Sequence, residues 1–211
     1  MTRCSAACTW SYRFRISITL AVAGLVLFLL SLSVVMPQTA PQAALSAGRF
    51  LIAGEHLRDP NFVETVVLLL NYGERGARGV IINRPSDVKL AAVFPGISGL
   101  HQRPDTVYLG GPVARNQLLI LLRSDRPRAG TEHVVDDLYV STSRQVLVEA
   151  LNRAAAVHVY AGYAGWAPGQ LDREVARGDW HVLPADAAAV FSKTPQEVWR
   201  ELIDKGAVQW L

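Results

Sequence analysis

Three short stretches carry residue types that can do chemistry. The densest is "GYAGWAPGQL", residues 162–171, with three glycines, a proline and two aromatics in ten positions. Glycines let a backbone approach a ligand closely, and the N–H groups that open a helix attract anions, so one reading is a phosphate cradle. The spacing argues against it. GxGxxG is missing, no lysine is present, and Trp166 and Pro168 stand where a phosphate loop has small, flexible residues. The structural reading has Gly162 and Gly165 making room for packed aromatics, while Pro168 and Gly169 turn the chain into a helix. "NRP", residues 83–85, and "LGGP", residues 109–112, follow strand-like runs in the same way. If the three turns converge on one sheet edge, they form a polar-lined pocket. Its candidate residues are Asn83, Arg84 and Pro85 from the first turn, and Gly110, Gly111 and Pro112 from the second. The third adds Gly162, Tyr163, Gly165, Trp166, Gly169 and Gln170.

Elsewhere the chain offers no catalytic residue, metal ligand set or cofactor site. Zinc-protease, nucleophile-elbow and Walker A patterns are absent. His56, His101, His133, His158 and His181 are scattered, with no pair at ligand spacing, and read as surface or satisfied core residues. Asp136 and Asp137 are adjacent. On a strand they would point to opposite faces, so only a loop would let them share a substrate. Glu55, His56 and Asp59 are close enough for an acid–base cluster, although nothing in their spacing requires one. Cys4 and Cys8 are the only cysteines, and both precede an apolar run. The folded part therefore has no disulfide, thiolate nucleophile or cysteine-based zinc site.

The elements that must position these stretches follow from patterning. "RFLIAG" (49–54), "VETVVLLLN" (63–71), "GVIIN" (79–83), "TVYLGGPV" (106–113), "QLLILL" (117–122), "AVHVYAGYAG" (156–165) and "WHVL" (180–183) read as strands. Gly73 and Gly76 join the second and third as a hairpin. "RDPNF" (58–62) has turn chemistry. "RPSDVKLAAVF" (84–94) begins with a proline stop and continues as a short helix. "STSRQVLVEALNR" (141–153) is a helix capped by Ser141 or Thr142, with Val146, Leu147, Ala150 and Leu151 on its apolar face. "GQLDREVARG" (169–178) is a short helix exposing Asp172, Arg173 and Arg177. "TPQEVWRELIDKG" (194–206) is a helix with Thr194 as N-cap, Pro195 first, Glu197 closing a capping box and Gly206 just past the end. Strands joined by short turns, without regular βα alternation, predict an α+β domain with a mixed, mostly antiparallel sheet.

The chain has 211 residues, half of them apolar, which suits one domain and a short extra segment. Of its 21 basic residues, Arg3, Arg13 and Arg15 lie in residues 1–15, which hold no acid; the remainder equal the 18 acidic residues in number. The folded part is thus formally neutral, and direct nucleic-acid binding is not expected of it. Residues 1–15 are a basic, cytoplasmic amino terminus. Residues 16–36 carry no charge and reach the length of about 20 that a spanning helix needs. Their strongest core, "AVAGLVLFLL", also fits a signal peptide, with cleavage near residues 44–47. The anchor reading makes the membrane a partner through 16–36, and both readings leave the domain outside the cytoplasm. Residues 37–48 form a linker, and 49–211 the domain.

Read in order, "FLIAG", "DPNF", "TVVLLL", "GARGVIINRP", "VYLGGPV", "TSRQVL", "GYAGWAPGQLDREV", Trp180, "PAD" (184–186) and "TPQEVWREL" resemble the YqgE/AlgH family of bacterial proteins. The resemblance implies a single α+β domain with a strongly bent, barrel-like sheet and flanking helices, no assigned cofactor and no established activity. One branch is associated with transcriptional regulation. Tyr72 and Leu122 stand where members often carry histidine, which weakens any shared acid–base chemistry. Members typically lack the apolar segment. The expected function is a non-enzymatic binding or regulatory domain tethered to the membrane, with an unknown protein or small molecule as ligand. The alternatives are a small hydrolase or transferase using the Asn83, Gly111 and Gly165 turns, and a cytoplasmic regulator whose true start lies downstream.

Overall fold

The computed structural model describes residues 44–208, apart from 154 and 192–193. The apolar run 16–36 lies outside the described residues, as do 1–15 and most of the linker. Among the described residues no helix is long and apolar enough to cross a membrane. Leu45 and Gly48, placed in the linker by the sequence, are packed here. Leu45 lies against the Trp166–Trp180 cluster, and the Gly48 N–H donates to the Leu69 carbonyl at 2.9 Å.

Ten strands form one sheet. They are β1 (Arg49–Ala53), β2 (Val66–Gly73), β3 (Gly76–Ile81), β4 (Pro85–Lys89), β5 (Thr106–Leu109), β6 (Val113–Arg123), β7 (Glu132–Val135), β8 (Leu138–Ser141), β9 (Val157–Trp166) and β10 (Trp180–Pro184). The main order is β10-β1-β2-β3-β9-β6-β8-β7, with antiparallel neighbours throughout; β5 runs parallel to β9 and carries β4 beyond it. The helices are α1 (Leu90–Val93), α2 (Arg144–Asn152), α3 (Gln170–Ala176), α4 (Ala187–Phe191) and α5 (Pro195–Val208).

Alternation along the strands builds three cores. Phe50 and Ile52 of β1, Val66 and Leu68 of β2, Leu119 and Leu121 of β6, and Leu138 and Val140 of β8 share one cluster with residues of α4 and α5. Strands so far apart in the order can share a core only because the sheet curls into a half-barrel around it. On the outer face, Leu51, Val67 and Leu69 pack with Leu171 and Val175 of α3. Ile120, Leu122, Val157 and Val159 pack with Val146, Leu147 and Ala150 of α2. The Trp199 indole of α5 donates to the Ala53 carbonyl at 2.7 Å and fixes that helix to β1.

β9 touches all three cores, and it does so by changing faces. Tyr160 points inward, whereas Ala164 and Trp166, of the same parity, lie in an outer core. Strict alternation would keep them on one side. Gly162, at φ +73, breaks it. The same residue divides the strand's partners, with β5 beside residues 159–161 and β3 beside 164–166.

Several elements differ from the sequence expectation. Pro85 opens strand β4 instead of stopping the chain before a helix, and only residues 90–93 are helical. β4 pairs with β5 alone, so a proline at its first position costs no ladder bond. Ser143, not Ser141 or Thr142, is the N-cap position of α2. The Ser141 hydroxyl instead donates to the Gly130 carbonyl at 2.6 Å and accepts from the Ser143 N–H. α5 runs through Gly206 to Val208. Gly162 and Gly165 do lie inside the strand read over 156–165, which extends to Trp166 as β9. The β7–β8 hairpin and α4 were not foreseen; the hairpin turns at Asp136, which takes φ +46.

A Cβ on Gly162 would lie 2.7 Å from the carbonyl oxygens of both Gly111 and Val113, at a φ that costs an L-residue about 1–2 kcal/mol. Gly162→Ala is therefore expected to lose about 3 kcal/mol or more, since overpacking adds about 1–3. Gly73→Ala, where nothing lies within 4 Å, should stay within about 1 kcal/mol of the parent. Chemical denaturation measures both. Equal stability of Gly162→Ala and the parent would contradict this account of β9.

Candidate functional site

The three motif turns do meet. The Leu109 N–H donates to the Arg84 carbonyl at 2.8 Å, the Gly110 N–H to the Ala161 carbonyl at 2.8 Å, and the Ile81 N–H to the Gly110 carbonyl at 2.9 Å. They meet backbone on backbone. A Cβ on Gly110 would lie 2.3 Å from the Gly162 carbonyl oxygen, and one on Gly111 2.2 Å from the Tyr163 carbonyl carbon. Gly110 and Gly111 are buried, with Pro112 beside them.

Several side chains expected in a pocket are instead committed to holding loops. Asn83 Oδ1 accepts from the Val66 N–H at 2.9 Å, and its amide donates to the Glu64 carbonyl at 3.0 Å. That pair clamps Glu64, which holds φ +53. The Arg84 guanidinium donates to the carbonyls of Pro60, Asn61 and Val63. Gly169 is the left-handed N-cap of α3. The Gln170 side chain accepts from the Ala167 N–H and donates to Glu174. The other oxygen of Glu174 accepts both the Trp166 indole at 2.7 Å and the Trp180 indole at 2.9 Å. Phe62 completes this cluster, stacked on Trp166 and edge-on to Trp180.

Tyr163, Gly165 and Trp166 remain, and they line an open groove of about 880 Å³ at the end of the β2–β3 hairpin. The hairpin contributes residues 71–78, and Val113 closes one side. The Tyr72 hydroxyl donates to Asp172 Oδ1 at 2.6 Å, and this bond chiefly raises its pKa above the ordinary tyrosine value. The Arg78 guanidinium lies 5.5 Å above the Tyr163 ring, and its Nε is buried without a hydrogen-bond partner. Among the lining residues there is no serine, cysteine, lysine or histidine. The sequence singled out one wall of this groove. It missed the hairpin wall, although "YGERGAR" (72–78) shows two cations with an aromatic close by.

A second, smaller cavity of about 210 Å³ is lined by Asp105, Tyr108 and His158 among others. His158 stacks on Tyr108 at 4.6 Å, lies 5.0 Å from the Phe191 ring, and has its Nδ1 3.4 Å from the Tyr160 hydroxyl. Burial lowers its pKa to about 4, against a partial offset from Asp105. It is a neutral, packed histidine. His56 pairs with Asp179 at 3.4 Å, while Asp59 accepts from Asn61 within its own turn, so the Glu55–His56–Asp59 cluster does not assemble. Asp136 sits at a hairpin turn and Asp137 pairs with Arg123 at 2.6 Å. Among the described residues no group of three or more potential ligands could hold a metal ion.

A family model described as AlgH-like matches residues 50–210. A UPF0301 protein of Methylococcus capsulatus is 38% identical over 165 residues, which span 75% of this chain and 90% of the relative. One from Anaeromyxobacter sp. (strain K) is 39% identical over 181 residues, or 80% and 90% of the two chains. The solution structure of the AlgH protein from Pseudomonas aeruginosa superposes with a TM-score of 0.63 at 32% identity, covering 80% of this chain and 91% of that one. A crystal structure from Corynebacterium diphtheriae, at 22% identity and TM-score 0.68, shares the fold over 81% of this chain and 94% of its own.

The half-buried His158 makes stability depend on pH. The unfolded side chain titrates near 6.5, so as pH falls below that value the unfolded chain takes up a proton that the folded chain accepts only near 4. The stability lent by neutral His158 is complete above the unfolded pKa and lost as pH falls through the folded one. Between pH 7 and 4.5 the parent is expected to lose about 2–3 kcal/mol from this group, and His158→Gln to lack that component. Urea titrations at the two pH values measure it; identical losses in parent and variant would contradict a neutral, half-buried imidazole.

Proposed function

This chain belongs to the AlgH-like family, and from that premise we propose that it is a binding module, with the groove at the end of the β2–β3 hairpin as its site. The carrying observation is the composition of that groove: aromatic and cationic side chains with the single carboxylate of Glu74, and no serine, cysteine, lysine or histidine. Chemistry by proton transfer or covalent catalysis needs a positioned nucleophile or base, and Glu74 is exposed on the hairpin. Tyr72 is a poor substitute, because Asp172 holds its hydroxyl protonated. The volume of about 880 Å³ lies in the range of small-molecule sites. The hydrolase reading loses its support, since Asn83 is occupied by two backbone groups and Gly111 is packed on backbone.

In this reading the domain works outside the cytoplasm, on an anchor over residues 16–36 or free after cleavage. The uncharged run and the arginines before it support that orientation. A domain so placed does not meet the chromosome, and its balanced charge fits a ligand other than nucleic acid.

Two measurements test the reading. A reporter active only outside the cytoplasm, fused after Leu211, should be active; a silent reporter would overturn the location. For the site, Gly73 lines the groove and a Cβ there meets nothing within 4 Å, so Gly73→Phe is chosen to put a bulky ring at the groove. In a thermal-shift screen of metabolites, compounds that raise the Tm of the parent should no longer do so in the variant. Equal shifts in both would move the site elsewhere, and turnover of a hit by the parent would make the protein an enzyme.

A further inference from the structure

We infer that the groove recognises a carboxylate, carried on an apolar or aromatic body, through Arg78. This rests on the groove being the binding site. Arg78 sits on β3 opposite Gly165 of β9. The Tyr163 ring holds the guanidinium by cation–π contact at 5.5 Å, and Arg78 lines the groove together with Gly165. Among the described residues Arg78 has no carboxylate partner and no hydrogen-bond acceptor, and its Nε is buried. A half-buried cation in that state lacks the compensation that such groups normally have. Arg84, by contrast, is held to three carbonyls and Arg123 to Asp137, and among the described residues Arg78 Nε is the buried side-chain nitrogen without a partner. Arg78 is held in place and left unanswered, and the groove is the side from which an acceptor can reach it.

The surroundings choose the anion. A guanidinium edge offers parallel N–H donors that match the two oxygens of a carboxylate. Val113, Tyr163 and Trp166 give the ligand's body apolar and aromatic surface. Trp166 is held rigid from behind by Glu174, so that wall is formed before binding. Arg75 and Arg78 against Glu74 leave the groove one positive charge in excess. A monoanion balances it. A phosphate dianion would overshoot it and meet Glu74, with no lysine and no helix amino terminus in the lining to absorb the second charge.

The test is calorimetric. The full-length chain in detergent micelles is titrated with a panel of arylalkyl carboxylates, the matched carboxamides and the matched phosphate monoesters, with empty micelles as blank. Carboxylates should bind about 10-fold or more tightly than their amides. Arg78→Gln should remove that preference. Arg78→Lys, which keeps the charge and loses the fork, should recover only part of it while matching the parent's Tm. Failure of every carboxylate to bind would overturn the inference, as would carboxylate affinity unchanged in Arg78→Gln, or phosphates binding more tightly than carboxylates. Amides that bind as well as acids, and lose binding in Gly73→Phe, would overturn the carboxylate while leaving the groove as the site.

Discussion

Where β9 passes Gly162, two stretches of backbone approach more closely than any side chain would allow. Gly110 and Gly111 lie against Gly162 and Tyr163 there, and the N–H of Gly110 is bonded to Ala161. This contact lets β5 run beside the first half of β9 and β3 beside the second. The positive φ of Gly162 also turns residues 164 and 166 to the outer face, where Trp166 joins α3, while Tyr160 stays in the inner core. One change of face thus couples all three cores. It also sets Tyr163 and Gly165 beside Arg78, which makes the groove.

The groove is built with unequal care. Its Trp166 wall is rigid, with an indole bonded to a carboxylate that also holds Trp180 and Gln170. Its hairpin wall is exposed, and Tyr72 is tied across to Asp172 on α3. A rigid aromatic wall facing an unpaired cation suits selection of a ligand by charge and shape.

Much of the fold was legible. β1, the β2–β3 hairpin, α2 and α3 follow from apolar periodicity bounded by turn residues, and the apolar face of α2 was read correctly at Val146, Leu147 and Ala150. The misses have physical causes. β4 was hidden because Pro85 is a poor strand residue except at the start of an edge strand. α4 is only five residues long, and its signal was Asp186, whose carboxylate caps the Ala189 N–H at 2.8 Å. The site was half legible. The glycine-rich motifs are conspicuous because backbone contacts demand glycine, and they drew attention to a junction whose role is packing. The groove's cation is an ordinary arginine in a hairpin. Only its buried Nε without a partner distinguishes it, and that is a property of the assembled structure.

Amide hydrogen exchange, followed residue by residue, tests most directly the claim that the motif junction is a packed structural core with the binding groove beside it. The N–H groups of Gly110 and Ile81, bonded to Ala161 and Gly110, are predicted to exchange only through global unfolding, while those of Gly73 to Arg75 exchange early. Early exchange at Gly110 and Ile81 would contradict the account, because it would make the junction a loose loop cluster open to ligand and not the constraint that shapes the domain.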